Sequence, residues 1–404
     1  MISLFGLPKK VIFCKKTLVS NQRPVSKVEF LSSKKTKSKG VFIDNNGISD
    51  PWKYSRIKKK INYNEREEKL LKLLSKYRSK SGDYDCIVPG SGGKDSCFAS
   101  HVLKYKYGMN PLTVTWPPIF YTDYGKKNFD EWLKVGKFEN ISAKRNLEQT
   151  NLLTKLAIEN LMHPFQAFII GQKLYPIKVA LKLKIPLIFY GENEAEHGNP
   201  LKDTESSIRN NSFYSAKNLS EIRLGGLSLN ELNKEFKLTA RDLKDYIPPE
   251  TKELEEAKIN VQYLGYYVKW MHQEAYYYSV ENCGFRPRPF RTQGTYTKHI
   301  SIDDKIDDLH YYSYYVKFGI GRATSDVSQE IRNDHLTIDE GKKLIKKYDG
   351  EFPDLYFKEI MNNLEIKNSN FLKKLDKFRS PHLWIKKNKR WKLRHTANLD
   401  GYCD

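Results

Sequence analysis

The residues best placed to do chemistry are Ser91-Gly92-Gly93-Lys94-Asp95-Ser96. Two adjacent glycines let a backbone turn sharply and bring its N–H groups close to a ligand. Ser91 and Ser96 add hydroxyl donors. A helix opening at Lys94 would add the positive end of its dipole. Together these make a nest for phosphate oxygens. The spacing is not that of the Walker loop, which needs G-x-x-x-x-G-K-[ST]. Lys94 either neutralises phosphate charge or is solvated at the helix start. Asp95 has no use against bare phosphate, because two anions repel. It makes sense with Mg²⁺ between them, an ion held by one or two carboxylates plus substrate phosphates.

Other candidates lie further along. Gly191, Glu192 and Asn193 end an apolar run, where ligands of open α/β sheets gather; Glu192 either orients a substrate or Mg²⁺, or pairs with a lysine. Asp303, Asp304, Asp307 and Asp308 have i,i+4 spacing, which stacks two pairs on one side of a helix. Such a cluster needs compensation from a cation or from Arg286, Arg288 and Arg291, or it sits in a helix's first turn, where carboxylates are stable without a ligand. Lys317, Arg322 and Arg332 are candidates to hold an anionic substrate, against salt bridges to Asp326 and Glu330. The tyrosines at 276–278 and 311–315 are core residues or stack on a sugar ring. Cys97 reads as a small buried residue of the helix.

The elements that must position these groups follow from pattern. Residues 83–90 and 112–116 are short apolar strands, and 185–193 is a third. A helix is expected from Lys94 to Tyr107 with Gly108 as its stop, and a long one from Ser142 to Met162. Strands separated by helices argue an α/β domain with a parallel sheet. Leu70, Leu71, Leu74 and Tyr77 set a helix over about 64–80. Residues 261–267 are open to reading as a further strand. Beyond 235 helical patterns dominate, with a Thr337–Glu340 capping box and Pro353 in a first turn. The organisation read is a basic N-terminal segment at 1–80, an α/β domain that carries the glycine loop at 81–235 and a mainly helical domain at 236–404.

Composition bounds the partners. Lys plus Arg is 70 and Asp plus Glu 48 in 404 residues, a net charge of +22. That favours anionic partners without choosing among them. Cys14, Cys86, Cys97, Cys283 and Cys403 include no C-x-x-C pair, so no disulfide scaffold or cysteine-built zinc site is legible. No apolar run approaches the roughly 18–20 residues that cross a bilayer, and the N-terminus lacks a secretory pattern. A cytoplasmic protein without membrane insertion is expected.

SGGKDS between a strand and a helix resembles the signature of the PP-loop ATP pyrophosphatases, over about residues 83–195. Four blocks extend the likeness: GENEAEHGN (191–199), VQYLGYYVKW (261–270), SIDDKIDDLHYYSYYVKFGIGRATSDVSQEIR (301–332) and YDGEFP (348–353). These resemble the N-acetyl sugar amidotransferase family of bacterial surface-sugar biosynthesis, covering lipopolysaccharide O-antigen and pseudaminic-type acids. The resemblance implies an α/β fold of the PP-loop, adenine nucleotide alpha hydrolase-like type. It implies ATP bound by Ser91, Gly92, Gly93, Lys94, Asp95, Ser96, Gly191 and Asn193, with Asp95 on Mg²⁺ and Asp95, Lys94 and Glu192 in catalytic roles.

The implied reaction turns an acetamido group into an acetamidino group. An amide carbon resists ammonia because its oxygen is a poor leaving group. Adenylylation of that oxygen supplies an AMP leaving group. Ile2 is not a cysteine nucleophile, and no cysteine lies in a G-x-C-x-G elbow, so no glutaminase is expected in this chain. The resemblance implies partner glutaminase and cyclase-like subunits similar to those of imidazole-glycerol-phosphate synthase. Members often carry N-terminal cysteine pairs. Here Cys14 remains, but Thr17, Ser49 and Trp52 stand at the other positions, so no zinc site is expected. The alternative is a PP-loop tRNA-modifying enzyme of the lysidine or thiolation type, which the charge and the basic stretch 385–394 would suit. A thiolating version would want a pair of reactive cysteines, which the sequence lacks, whereas a lysidine-type enzyme needs none; nucleic acid is the less expected partner.

Overall fold

The computed structural model describes residues 2–193, 196 and 198–397, with backbone alone for 202 and 203. Cys403 and three residues of the 191–199 block (Glu194, Ala195 and His197) lie outside the described residues. The centre is a parallel sheet of β1 (Cys86–Pro89), β2 (Pro111–Thr115), β3 (Asn140–Ser142), β4 (Leu187–Tyr190) and, after a small hairpin of β5 (Arg223–Leu224) and β6 (Leu227–Ser228), β7 (Asn260–Tyr263). Its strand order is β3-β2-β1-β4-β7.

The strands are buried on both faces, as a sheet covered by helices requires. Cys86 and Val88 of β1, with Leu187 and Phe189 of β4, pack against Leu70 and Leu74 of helix Tyr63–Tyr77 and Ala99 of helix Lys94–His101. Ile87 and Ile188 point the other way, onto Ile177 and Ala180 of helix Gln166–Leu183. That split follows from the alternation of side chains along a strand.

The chain departs from the expected elements in four places. The helix expected from Ser142 starts at Leu147, because residues 140–142 join the sheet as β3. The helix expected to run to Tyr107 changes at Val102 to a π turn that ends at Lys106. The 261–267 stretch divides into β7 and a short helical turn, Leu264–Tyr267, so the sheet takes its edge strand from beyond residue 235. The basic stretch near the C-terminus forms a hairpin, β8 (Trp384–Lys387) and β9 (Arg390–Leu393).

Beyond the sheet, helices His272–Cys283, Asp307–Phe318, Arg322–Arg332, Ile338–Tyr348, Asp354–Asn363 and Asn368–Lys377 form a mainly helical region. The Thr337–Glu340 capping box is present, and Pro353 sits one position earlier than expected, at the N-cap. Ser279 of helix His272–Cys283 donates to the Lys94 carbonyl at 2.8 Å, which pins the start of the loop helix to this region.

Candidate functional site

Strand order reverses between β1 and β4, since one half of the sheet winds outward through β2 and the other through β7. Such a switch point leaves a crevice at the C-terminal strand ends. The glycine loop leaves β1 there and Gly191-Glu192 leaves β4 beside it. Their closeness is enforced by size, because a Cβ on Gly191 would lie 2.4 Å from the Asp95 carbonyl oxygen.

The loop itself is shaped by two unlike glycines. Gly92 has φ +84° and its missing Cβ would meet the Phe129 backbone at 2.6 Å. Gly93 has φ −70° and opens into space, with nothing nearer than Ser91 Oγ at 4.0 Å. Gly93 is also the N-cap of helix Lys94–His101, and no side chain caps its first-turn amides. Ser96 Oγ instead donates to the Gly93 carbonyl at 2.9 Å. The result is a bare helix N-terminus facing open space, an arrangement that takes an anion.

The loop forms one wall of a cavity of about 500 Å³. Ser91, Gly92, Gly93, Lys94, Asp95, Glu192, Arg322 and Arg332 all line it. Asp95 carries a 2.6 Å ion pair with Lys94. Ser96 and Asn193 are buried and are not among the lining residues; Asn193 Nδ2 donates to Tyr54 Oη at 3.2 Å. Lys317 is elsewhere. Its amine donates to the Leu161 carbonyl at 2.7 Å in a neighbouring cavity.

Facing the loop is an acidic wall of Asp303, Asp304 and Asp307. These do not stack along a helix as their spacing suggested. The helix starts only at Asp307, and Asp303 and Asp304 lie in the preceding bend. The bend is held by strand-like pairing with residues 120–122: Thr122 N–H donates to the Asp303 carbonyl at 3.1 Å and Lys305 N–H to that of Phe120 at 2.9 Å. The Asp304 carboxyl accepts from the Ile119, Phe120 and Ile306 amides. Ser91 Oγ donates to Asp303 Oδ2 at 2.7 Å. Burial pushes the carboxyl of Asp304 up to about 7, with Asp303 adding to it. Burial and the neighbouring aspartates push Asp307 well above the usual range.

Basic side chains line the same cavity. Arg322 pairs with Asp326 at 2.9 Å and donates to Tyr311 Oη. Arg332, itself buried, donates to the Glu196 carbonyl oxygen at 3.0 Å, with its carboxylate 3.7 Å away. Lys58 donates to the same carboxylate and to the Trp270 carbonyl. Arg23 also lines the cavity. The N-terminal segment therefore completes the site, which neither its composition nor its irregular pattern signalled. His299 was likewise missed. Its ring stacks on Tyr276 with centroids 4.1 Å apart. Burial, Lys94 and Arg322 push it down to about 3, so it is neutral.

At the N-terminus, Cys14, Thr17, Ser49 and Trp52 come together. Ser49 N–H donates to Cys14 Sγ at 3.3 Å, Thr17 and Ser49 hydroxyls lie 3.5 Å apart, and Trp52 packs on the cluster of Cys14, Val19 and Val41. Among the described residues no helix is long and apolar enough to cross a membrane.

Comparison with known proteins covers part of the chain. Residues 293–397 match the family model described as LPS biosynthesis protein WbpG-like, C-terminal domain. That segment, about a quarter of the chain, carries the acidic wall together with Arg322 and Arg332. An uncharacterized protein of Methanocaldococcus jannaschii, MJ1599, is 38% identical over 53 residues. The match spans 13% of this chain and 19% of that protein.

Proposed function

We propose that the chain is an ATP-dependent, AMP-forming amidotransferase that converts the acetamido group of a bacterial surface sugar to acetamidino. One observation carries the reading. An uncapped glycine-rich helix N-terminus shares a cavity with a segment similar to a lipopolysaccharide-biosynthesis domain. The first feature suits a triphosphate, and the second supplies the side chains facing it.

In this reading Gly92, Gly93 and the amides after them hold the β and γ phosphates, with Ser91 and Ser96 framing the loop. Lys94 offsets negative charge shifting to the departing pyrophosphate. Asp95 is suited to Mg²⁺, since it lines the cavity beside the glycine loop and Mg²⁺ takes one or two carboxylates plus phosphates. Bound there, the ion would neutralise phosphate charge. Glu192 and the acidic wall orient the sugar, and Arg322 and Arg332 bound the side where an anionic sugar lies. Sugar and nucleotide held side by side in this cavity would make attack effectively unimolecular. Ammonia comes from outside the chain, from partner glutaminase and cyclase-like subunits or from solution.

The test is mass spectrometry of UDP-linked and free N-acetyl sugars incubated with the protein, ATP, Mg²⁺ and ammonium. The expected product is about one mass unit lighter, as NH replaces O, with AMP beside it. Asp95→Ala should abolish turnover while leaving the fold intact. ADP in place of AMP, or full activity in that variant, would remove the loop from the mechanism. Binding of tRNA with no mass shift would favour a tRNA-modifying enzyme.

A further inference from the structure

Amidine formation needs a proton acceptor. Ammonia that adds to an adenylylated amide becomes an ammonium group in the adduct. Until that nitrogen gives up a proton it is readily expelled again, and it has no lone pair to drive AMP out. The carboxylates around the cavity are poor candidates for that proton. Asp95, Asp326 and Glu196 each hold a cation. Burial raises Asp303, Asp304 and Asp307 toward keeping their own protons. Glu192 orients the sugar in the amidotransfer reading.

His299 lines the same cavity, and its place is built. The Arg288 amide donates to the Lys298 carbonyl at 2.9 Å, and Arg288 Nη2 to the Ser301 carbonyl at 3.0 Å. The chain is thus strapped on both sides of the histidine. Its ring stacks on Tyr276 with the two planes 19° apart. Nε2 is buried without a hydrogen-bond partner, which leaves Nδ1 as the nitrogen open to the cavity. Lys94 and Arg322 both act on the ring, so it lies within reach of the phosphate loop and of the side given to the sugar. Their positive field favours a lone pair on Nδ1 over an N–H there. His310 also lines the cavity, but it stacks on His163 and Phe165 and answers to Glu29 and Lys317, not to Lys94.

We propose that His299 is the general base of the ammonia step, taking a proton at Nδ1 from the nitrogen of the adduct. This rests on the amidotransfer reading. The C–N bond to ammonia forms first, and one proton passes from that nitrogen to His299. The freed electron pair then makes the C=N bond while the C–O bond breaks and its electrons leave with AMP. The imidazolium returns its proton to water. In the empty cavity burial, Lys94 and Arg322 hold the imidazole down to about 3. Phosphates and an anionic sugar paired with those cations cancel the repulsion, so the ring becomes more basic as the substrates bind. It is kept unprotonated until the site is loaded.

His299→Gln keeps the size of the side chain and cannot take the proton. His299→Ala opens room for added imidazole. Circular dichroism checks that both full-length variants fold. Each is assayed twice with ATP, Mg²⁺ and whichever N-acetyl sugar the parent converts. ATP–pyrophosphate exchange without ammonium reads adenylylation, and mass spectrometry with ammonium chloride reads the amidino product. Exchange should stay within about twofold of the parent while product formation falls about a hundredfold or more, and imidazole should restore His299→Ala by about tenfold. Product at the parental rate in His299→Gln, an equal fall in exchange and product, or no restoration by imidazole overturns the role of His299 and leaves amidotransfer standing. A parent that yields no amidino product overturns the amidotransfer reading, and the base with it.

Discussion

Ser91 and Asp303, 212 residues apart, are joined by a 2.7 Å hydrogen bond across the mouth of the cavity. The contact ties the glycine loop to the acidic bend. Gly125 tightens the same junction, because a Cβ there would lie 2.4 Å from Asp303 Cα. Asp303 feels two opposed effects: burial raises its carboxyl, and Ser91, Arg288 and Lys94 pull it back. The loop and the C-terminal segment thus line one continuous surface of the cavity, and the loop is tied to a residue far outside its motif.

That dependence is measurable by a double-mutant cycle. Ser91→Ala and Asp303→Asn should each weaken ATP–pyrophosphate exchange roughly tenfold or more, since hydrogen bonds to charged groups are worth about 1.5–3 kcal/mol. The double variant should lose little beyond either single one, giving a coupling of about 1–2 kcal/mol. Additive losses would mean that the two residues act separately.

The two loop glycines should fail differently. Alanine at Gly92 meets the Phe129 backbone at 2.6 Å from a left-handed φ, so Gly92→Ala should lower the melting temperature as well as activity. Gly93→Ala has ordinary φ and open space. It should melt like the parent yet bind ATP at least tenfold more weakly, because its methyl occupies the space a phosphate would take. A Gly93→Ala variant with normal ATP affinity would place the phosphates elsewhere.

The contrast between these glycines and the rest of the site explains what could be read in advance. β1 and β4 are apolar runs and β2 alternates Leu and Val with β-branched threonines, all with turn residues behind them; that is a local signal, and SGGKDS is local too. β3 has only the three residues Asn140–Ser142 and no apolar run, so it drew no notice. Helix Gln166–Leu183 holds Pro176 and packs on both the sheet and the C-terminal core, leaving no polar face to mark it. The β8–β9 hairpin did carry a signal: Trp384 and Trp391 flank Asn388-Lys389, both at positive φ, as a two-residue turn needs. Arg23 carried none. It comes from an irregular segment, and only tertiary packing brings it to the cavity.

The Lys58–Glu196–Arg332 network should hold the N-terminal segment onto the site. Glu196 and both cations are buried. Glu196→Gln removes the charge that two cations share, and breaking a buried pair from one side costs about 3–5 kcal/mol. Urea denaturation should show a loss of that order. Lys58→Met should cost less, since Arg332 still compensates Glu196 and the methionine fills the space. Equal losses in the two variants would show that Arg332 does not compensate Glu196 once Lys58 is gone.

Asp308 should make the protein's stability depend on pH. Both of its carboxyl oxygens are buried without a partner, and Nε and Nη1 of Arg288 share that condition. Burial pushes the Asp308 carboxyl up to about 7; Arg288 pulls it down, Glu351 pushes it up, and Arg291 and Arg322 pull it down. An unfolded aspartate titrates near ~3.9. The folded state therefore holds the proton more tightly, so its contribution is intact below about pH 4 and is lost as pH rises to about 7. The full loss above that is on the order of 4 kcal/mol at most. Asp308→Asn keeps the shape and cannot ionise. Its melting temperature should match the parent's near pH 4, exceed it increasingly toward pH 7, and keep a constant lead above. A lead that does not grow across that range would mean that Arg288 compensates the ionised carboxylate fully, and that Asp308 carries a charge at neutral pH.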